Sequence, residues 1–302
     1  MGVVTLDGQT VPMPKEFAPT TMRHAFEQSV VGQLTSSEPL PLGEYVIPQY
    51  DGGFEVGVVG EGKPKPVSTP TASHKVIKPV KLAGIVVVSM EAVKKDPVGM
   101  MKIIQADMTN AISRGIDYCI LYGKSPLTGV DVAGAVSVNQ TTSRVELAAG
   151  DLVPQILAGY DLAAASDTAD PNGFAFDSRF RTKVAMATQQ IRTPAGVPQP
   201  MPNLAVAADT VAGLKAAYGR VVAGRIGTQP DTKVRGFVGD WSKVRWGFAD
   251  NIDIRRSTEA TIVDGGNTYH LFQDNLQALL VECIVGWTVL DVQAFAAYED
   301  KA

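Results

Sequence analysis

The sequence predicts an α+β fold in which strands gather around one long helix, with two attachments that cannot fold by themselves. Three observations carry this expectation. Residues 96–123 form one amphipathic helical pattern. Residues 130–245 alternate helical and strand signals, after which only strand signals follow. Residues 1–43 and 44–90 show no apolar face wide enough to make a core. At 302 residues the chain is about two ordinary domains long, so the later segments must supply the core.

The first 43 residues read as an arm. Pro12, Pro14, Pro19, Pro39 and Pro41 break any long element and leave room for one short helix around Met22 to Leu34. Such a segment must lie on the rest of the protein or on a neighbour. Residues 44–90 read as a long β-hairpin excursion. Glu44 to Gln49 and Phe54 to Val59 are short β-rich runs around the turn signal Asp51-Gly52-Gly53. A polar stretch from Gly60 to Ser73 follows, then a rough alternation from Lys75 to Leu82 and the apolar run Ile85-Val86-Val87-Val88, which reads as buried. A two-stranded ribbon of this kind is marginal alone and needs support from elsewhere. Arm and ribbon are therefore expected to be ordered mainly by neighbouring subunits.

The clearest helix follows. Asp96 suits the N-cap, Pro97 the first helical position and Gly123 the stop. Ile104, Met108, Ile112 and Cys119 mark one face, which Ala111, Ile116 and Ile120 widen. At 1.5 Å per residue the helix is about 40 Å long. Cys119 reads as a small buried hydrophobe. Beyond it, Leu152 to Ala165 and Ser178 to Gln189 read as helices and Phe174 to Phe176, Leu204 to Ala208 and Lys233 to Val238 as strands, with Thr210 to Tyr218 helical. The closing strands are Ile252 to Ile254, Tyr269 to Phe272, Gln277 to Ile284 and Val289 to Ala297, and Trp241, Trp246 and Trp287 read as core anchors.

Composition removes several functions. The formal charge is −4 and the pI near 5.5, which argues against a dedicated nucleic-acid binder. Charged residues are only 19% of the chain, below the roughly 25% usual in soluble proteins, which points toward surfaces covered by partners. The longest apolar run, Leu82 to Met90, is far short of the roughly 20 residues that cross a bilayer, and Met1 to Thr10 has no signal-peptide pattern. Cys119 and Cys283 make no disulfide framework, and the scattered His24, His74 and His270 make no metal site. No cofactor and no metal are expected.

One motif tempts toward an enzyme. Gly57-Val58-Val59-Gly60-Glu61-Gly62-Lys63 fits the phosphate-cradling G-x-x-x-x-G-K pattern, but Pro64 stands where a magnesium-binding Ser or Thr belongs. Pro64-Lys65-Pro66 also forbids the helix that must follow such a loop. The stretch reads as a glycine-rich hairpin tip, and nucleotide binding is a distant alternative. No nucleophile elbow or zinc-protease motif is present. Lys63, Lys65, Lys75, Lys78 and Lys81 read as a solvated basic ribbon.

The order of arm, extended hairpin, long helix, α+β body and terminal strands resembles the major capsid protein of tailed bacteriophages, the HK97-like fold, which encapsulin shells also use. The motifs that carry the resemblance are loose but ordered. They are Gly60 to Pro66 at the loop tip, Val87 to Glu91 and Asp96-Pro97 leading into the helix, Gly239 to Val244 with Asn251 to Ile254, and Phe272 to Asn275 with Val285 to Phe295. The resemblance implies an N-terminal arm (1–43), an extended loop (44–83), a peripheral domain with a spine helix (84–129), an axial domain (130–248) and peripheral closing strands (249–302).

It further implies a structural, non-enzymatic subunit that self-assembles, through hexamers and pentamers, into an icosahedral shell. That shell would be assembled in the host cytoplasm and enclose double-stranded DNA without sequence-specific binding, with no membrane. Portal and decoration proteins are further partners. Many relatives begin with a scaffolding segment of about a hundred residues that is later removed. The 43 residues before the loop leave no room for one, so scaffolding is expected from a separate protein. An encapsulin-type nanocompartment shell is the alternative, with Met22 to Leu34 as a poor match to its cargo-docking helix.

Some members of this family join subunits through an isopeptide bond between a loop lysine and an asparagine, assisted by a glutamate. Motif by motif, Lys65 falls at the lysine, Asn275 at the asparagine and Glu282 at the glutamate, with Lys63 close to Lys65. The chemistry requires a neutral amine and a proton-accepting carboxylate, and Leu276, Leu279, Leu280 and Val281 are the candidate desolvating wall. If residues 275–282 form one strand, the side chains of Asn275 and Glu282 point to opposite faces about 23 Å apart. Catalysis would then draw groups from different subunits. The bland reading of the same residues is a turn asparagine, an ion-paired glutamate and a solvated lysine.

Overall fold

The computed structural model describes residues 29–52, 54–69, 71–94, 100–148, 152–166, 168–185, 188–192, 198–202 and 210–301. The first element is α1 (Val30–Leu34), only the last part of the helix expected from Met22, whose earlier residues lie outside the described ones. Ser29 caps it, its Oγ accepting from the Gly32 N–H at 2.9 Å. Val30 and Val31 are fully buried. Downstream, the Glu38 N–H donates to the Trp246 carbonyl at 2.9 Å and the Leu40 N–H to the Phe248 carbonyl at 3.0 Å. Gly247 makes this approach possible, because a Cβ there would overlap the Glu38 carbonyl. Residues 29–40 are thus a strap on their own subunit. The expectation that neighbours order the arm is corrected for these residues: Val30, Val31 and Leu40 give the strap its own apolar anchors.

β1 (Tyr45–Gly52) and β2 (Thr71–Ile77) pair antiparallel from Tyr45↔Ile77 to Gly52↔Thr71. Here two expectations fail. Phe54 to Val59 is extended but is not a strand, and Asp51-Gly52-Gly53 is not the hairpin turn. Gly52, at φ 88°, instead absorbs a register shift, and the chain runs on to a turn at Gly60–Lys63. The ribbon reverses there because Gly62 adopts φ 77° and the Lys63 N–H reaches the Gly60 carbonyl at 3.1 Å.

β3 (Val80–Ser89) leads directly into the short α2 (Met90–Lys94). The run expected to be buried is so only at Val88, and Ile85 is 48% exposed, because β3 is a sheet edge with one open face. The long helix α3 (Met100–Tyr122) follows. Asp96 and Pro97 lie outside the described residues, so their capping role stays an expectation. The other end is as read: Gly123 at φ 68° stops the helix and its N–H closes on the Cys119 carbonyl at 2.8 Å. Met108, Ile112, Ile116, Cys119 and Ile120 are buried, as the stripe required, and Ile104 is half-buried, but Ala111 is exposed and falls outside the packed face.

The body beyond α3 is a six-stranded sheet, built from β4 (Arg144–Leu147), β5 (Gly173–Phe176), β8 (Thr210–Val211), β9 (Leu214–Tyr218), β10 (Val234–Gly239) and β15 (Phe295–Asp300), in the order β4-β15-β10-β5-β9-β8. Helix α3 (with neighbours) covers one face and α4 (Leu152–Ala164) the other. Side chains alternate accordingly: Ala175, Phe237, Phe295 and Ala297 join the α3 core, while Phe174, Phe176, Val238, Ala296 and Tyr298 join the α4 cluster. A strand buried on both faces reads as one apolar run, which is why residues 294–298 are fully buried.

Three readings in this body are corrected. The helix expected over Ser178 to Gln189 is a short 3-10 turn followed by α5 (Arg181–Ala185), and Gln189 already lies in β6 (Thr188–Arg192), paired with β7 (Pro198–Pro202). Thr210 to Tyr218 is a hairpin rather than a helix, because Ala212 and Gly213 take φ 51° and 81°, the two positive values a tight turn needs. Val289 to Ala297 is not one strand: the Asp291 carboxylate accepts from the Gln293 N–H and turns the chain before β15. Leu204 to Ala208 lies outside the described residues.

The second sheet has three strands, β11 (Val244–Ser257), β14 (Leu276–Val289) and β3, in that order. Its inner face places Leu279, Val281, Cys283 and Val285 in the α3 core. The strand expected over Tyr269 to Phe272 lies two residues earlier: β12 (Thr261–Asp264) and β13 (Asn267–His270) form a hairpin, and Phe272 lies beyond it, exposed. All three tryptophans are buried anchors, and the Trp241 Nε1–H donates to the Gly173 carbonyl at 3.0 Å.

Ile112→Pro is expected to unfold the subunit, since it removes a helical hydrogen bond mid-stripe at a cost of about 3 kcal/mol or more. Gly247→Ala is expected to cost about 1–3 kcal/mol by forcing the strap off β11. Thermal denaturation checks both. A wild-type midpoint for Ile112→Pro would contradict the helix packing, and one for Gly247→Ala the strap contact.

Candidate functional site

The ribbon is the part of the subunit that its own core cannot explain. Beyond the β1–β2 ladder the two limbs stay together, the Glu55 N–H donating to Ser68 Oγ at 2.9 Å and Gly57 facing Pro66. Continuing that pairing sets Val67 opposite Val56 and Lys65 opposite Val58. Phe54, Val56 and Val58 alternate along one limb, so with Val67 they share one face. Phe54, Val56 and Val67 are 77, 84 and 95% exposed and Val58 is fully so. Four large apolar side chains on one ribbon face exceed the scattered exposure normal for a monomer and mark a contact surface.

Two further patches are as open. Leu127 and Val130 project from a loop after α3 that is fastened by Ser125 N–H to the Val130 carbonyl (2.8 Å) and Gln229 Nε2–H to the Leu127 carbonyl (3.0 Å). Val263 and Phe272 project beside the β12–β13 hairpin. The basic ribbon is partly neutralised: Lys78 pairs with Glu44 at 3.0 Å and Lys81 with Glu282 at 2.5 Å.

The three crosslink candidates do not meet within one subunit. Lys65 is exposed near the ribbon tip, with no ion-pair partner among the described residues. Asn275 is exposed in the turn before β14 at φ 53°, its carbonyl accepting from the Met90 N–H at 2.9 Å. It is a turn residue, so the single strand over 275–282 begins one residue later than supposed. Glu282 lies in β14 and is held from two sides, by Lys81 and by Arg255 Nη2 at 2.9 Å. Chain extension beyond Lys63, where the nucleotide motif demands a helix, removes the phosphate-loop geometry.

One residue escaped the sequence reading. Asp117, on the buried side of α3, accepts hydrogen bonds from Ser29 Oγ (2.5 Å), the Val30 N–H (2.7 Å) and the Val31 N–H (3.2 Å). Its signal was available: an acidic residue between Ile116 and Ile120, four residues after Ser113, sits on the apolar stripe rather than opposite it.

Comparisons with known proteins converge. The model of the phage capsid family matches residues 9–300. The probable major capsid protein gp17 of Mycobacterium phage D29 is 25% identical over 286 residues, covering 90% of this chain and 85% of that protein. A solved structure from Gordonia phage Cozz superposes with a TM-score of 0.76 at 29% identity, covering 91% of this chain and 87% of that one. One from Mycobacterium phage Ogopogo does so with 0.73 at 26% identity over 100% and 96%.

Glu282→Gln is expected to lower subunit stability by less than about 1 kcal/mol, because Lys81 and Arg255 both remain more than half exposed and can return to water. Chemical denaturation of dispersed subunits measures this, and a loss of several kcal/mol would show that the carboxylate is a core element.

Proposed function

The chain belongs to the phage capsid family, and from that premise we propose that exposed ribbons lock hexamers and pentamers of it into a closed icosahedral shell around a double-stranded DNA genome. As a structural capsid subunit of HK97-like fold it resides in the virion and self-assembles into a multi-subunit shell. The observation that carries the finer reading is the ribbon face of Phe54, Val56, Val58 and Val67, which none of the described residues covers. The neighbour is a second copy, so each subunit donates one ribbon and receives one. The acidic balance of −4 fits a wall that encloses DNA without reading it. Assembly takes place in the host cytoplasm, with scaffolding, portal and decoration proteins as separate partners. We assign residues 84–129 and 249–302 to a peripheral domain and residues 130–248 to an axial one, except that β15 lies in the six-stranded sheet and that β3 and β11 of the three-stranded sheet begin at Val80 and Val244.

The ribbon also offers a chemical step. Lys65 lies opposite Val58 on the apolar face, so docking that face removes its amine from water. Its Nζ would attack Asn275 Cγ of a neighbouring copy. The new C–N bond forms as the bond from Cγ to Nδ2 breaks, and Glu282 of a copy other than the one supplying Asn275 carries the proton from the attacking amine to the departing ammonia.

Replacing Phe54, Val56 and Val58 together by Ser is expected to leave a folded subunit with an unchanged thermal midpoint but no shells by negative-stain microscopy. Normal shells from that variant would overturn the ribbon's role. For the chemical step, boiled and denatured wild-type shells should show covalent ladders that vanish in Lys65→Ala, whereas a single 32.0 kDa band from mature particles would end it.

A further inference from the structure

Asp117 is 2% exposed, and among the described residues no cation pairs with it. Among the described residues its carboxylate accepts from the strap: from Ser29 Oγ and the Val31 N–H on Oδ1, and from the Val30 N–H on Oδ2. The charged groups around it are all engaged or set aside. Arg114, one turn earlier on α3, turns to Asp107 at 3.7 Å. Lys215 on β9 donates to the Gln33 carbonyl of the strap, and Arg220 lines the rim of the adjoining cavity without bonding the carboxylate. That cavity, about 190 Å³, lies between Val30, Arg114, Asp117 and Gly219. Gly219 itself is required, since a Cβ there would overlap Val30 Cγ2.

We propose that Asp117 is a proton-linked latch for the strap, which seats more firmly when this carboxyl group is protonated and loosens when it ionises. The hydrogen-bond geometry tolerates the proton. Placed on Oδ1, it is donated to Ser29 Oγ, reversing that 2.5 Å bond, while Oδ2 still accepts from Val30 and Ser29 Oγ still accepts from Gly32. Ionisation restores the third bond but leaves a buried charge without a counter-ion among the described residues. Burial accordingly pushes Asp117 up from 3.8 to about 6, the bonds from Ser29, Val30 and Val31 pulling the other way. When the strap lifts, the carboxyl group meets water through the cavity and returns toward its ordinary value. The seated state then binds the proton more tightly. Its extra stability is complete below about pH 4 and is lost as pH rises through about 6.

The test reads hydrogen-exchange protection of the Val30 and Thr35 amides in the dispersed full-length chain, as protection factors corrected for intrinsic exchange, and so stands apart from assembly. Between pH 5 and pH 7.5 the wild-type factors should fall roughly tenfold. Asp117→Asn, which cannot ionise, should give a flat profile. Ser29→Ala deletes a donor that favours the carboxylate and should move the slope to higher pH, and it carries the test alone if Asp117→Asn does not fold. A flat wild-type profile, a slope that persists in Asp117→Asn, or an unmoved slope in Ser29→Ala would overturn the latch.

Discussion

The burial of α3 between two unlike sheets is the constraint on which the rest of the structure depends. The helix presents Met108, Ile112, Ile116, Cys119 and Ile120 to a single core, and that core takes side chains from β10 and β15 of one sheet and from β11 and β14 of the other. Neither sheet could be stable without it. The three-stranded sheet has one open face, and the six-stranded sheet has α4 on only one side. A helix serving two sheets must be straight and continuous through its buried length, and this one runs 23 residues before Gly123 ends it. Orientation of the sheets relative to one another is therefore set by one element, which suits a subunit whose task is geometry.

The strap spans the same junction from outside. It meets the body at Asp117, Gly173 and Gly219 and the three-stranded sheet at Gly247, and at Gly219 and Gly247 the missing Cβ is what allows the contact. At the first meeting a carboxylate accepts from the strap backbone. At the other end Glu38 pairs with Arg245 and bonds backbone to backbone along β11. The end of the strap at α3 thus rests on the Asp117 carboxylate, with Lys215 bonding the Gln33 carbonyl beside it, while the end at β11 rests on ladder bonds, packing and the Glu38–Arg245 pair. A strap of this construction loosens from one side first.

Much of this was legible in the sequence, and the exceptions have physical causes. The stripe from Ile104 to Ile120 identified α3 because a helix buried on one side repeats at 3.6 residues. The run from residue 294 to 298 was visible as apolar, but not where it belonged: a strand covered on both faces carries no alternation to show its partners. Thr210 to Tyr218 looked helical because Leu214, Ala216 and Ala217 are good helix formers, yet the positive φ of Ala212 and Gly213 folds it back on itself. Phe54 to Val59 looked like a strand, and its alternation is genuine, but its apolar side chains are exposed rather than turned toward this core. Of the site, Lys65, Asn275 and Glu282 could be named, whereas the ion pairs that hold Glu282 depend on the register of three strands that no local pattern states. Asp117 was missed because the stripe was read for its apolar members only.

The open ribbon face has an energetic consequence for how a shell of such subunits closes. Covering a valine or phenylalanine side chain contributes about 2 kcal/mol, so four give something under 10 kcal/mol per ribbon. Ordering the glycine-rich tip and fixing two subunits relative to one another costs a comparable amount. A single ribbon contact is therefore weak and reversible. In the proposed exchange, where a subunit donates its ribbon in one direction and receives another from elsewhere, the contact is heterologous and is satisfied for every copy only in a closed arrangement. Weak contacts of this kind let misplaced subunits leave while the ring is open, and hold once closure makes each departure break two contacts. On this reading the exposed Phe54, Val56, Val58 and Val67 are not a flaw of the monomer but the means by which closure is selected over open aggregation.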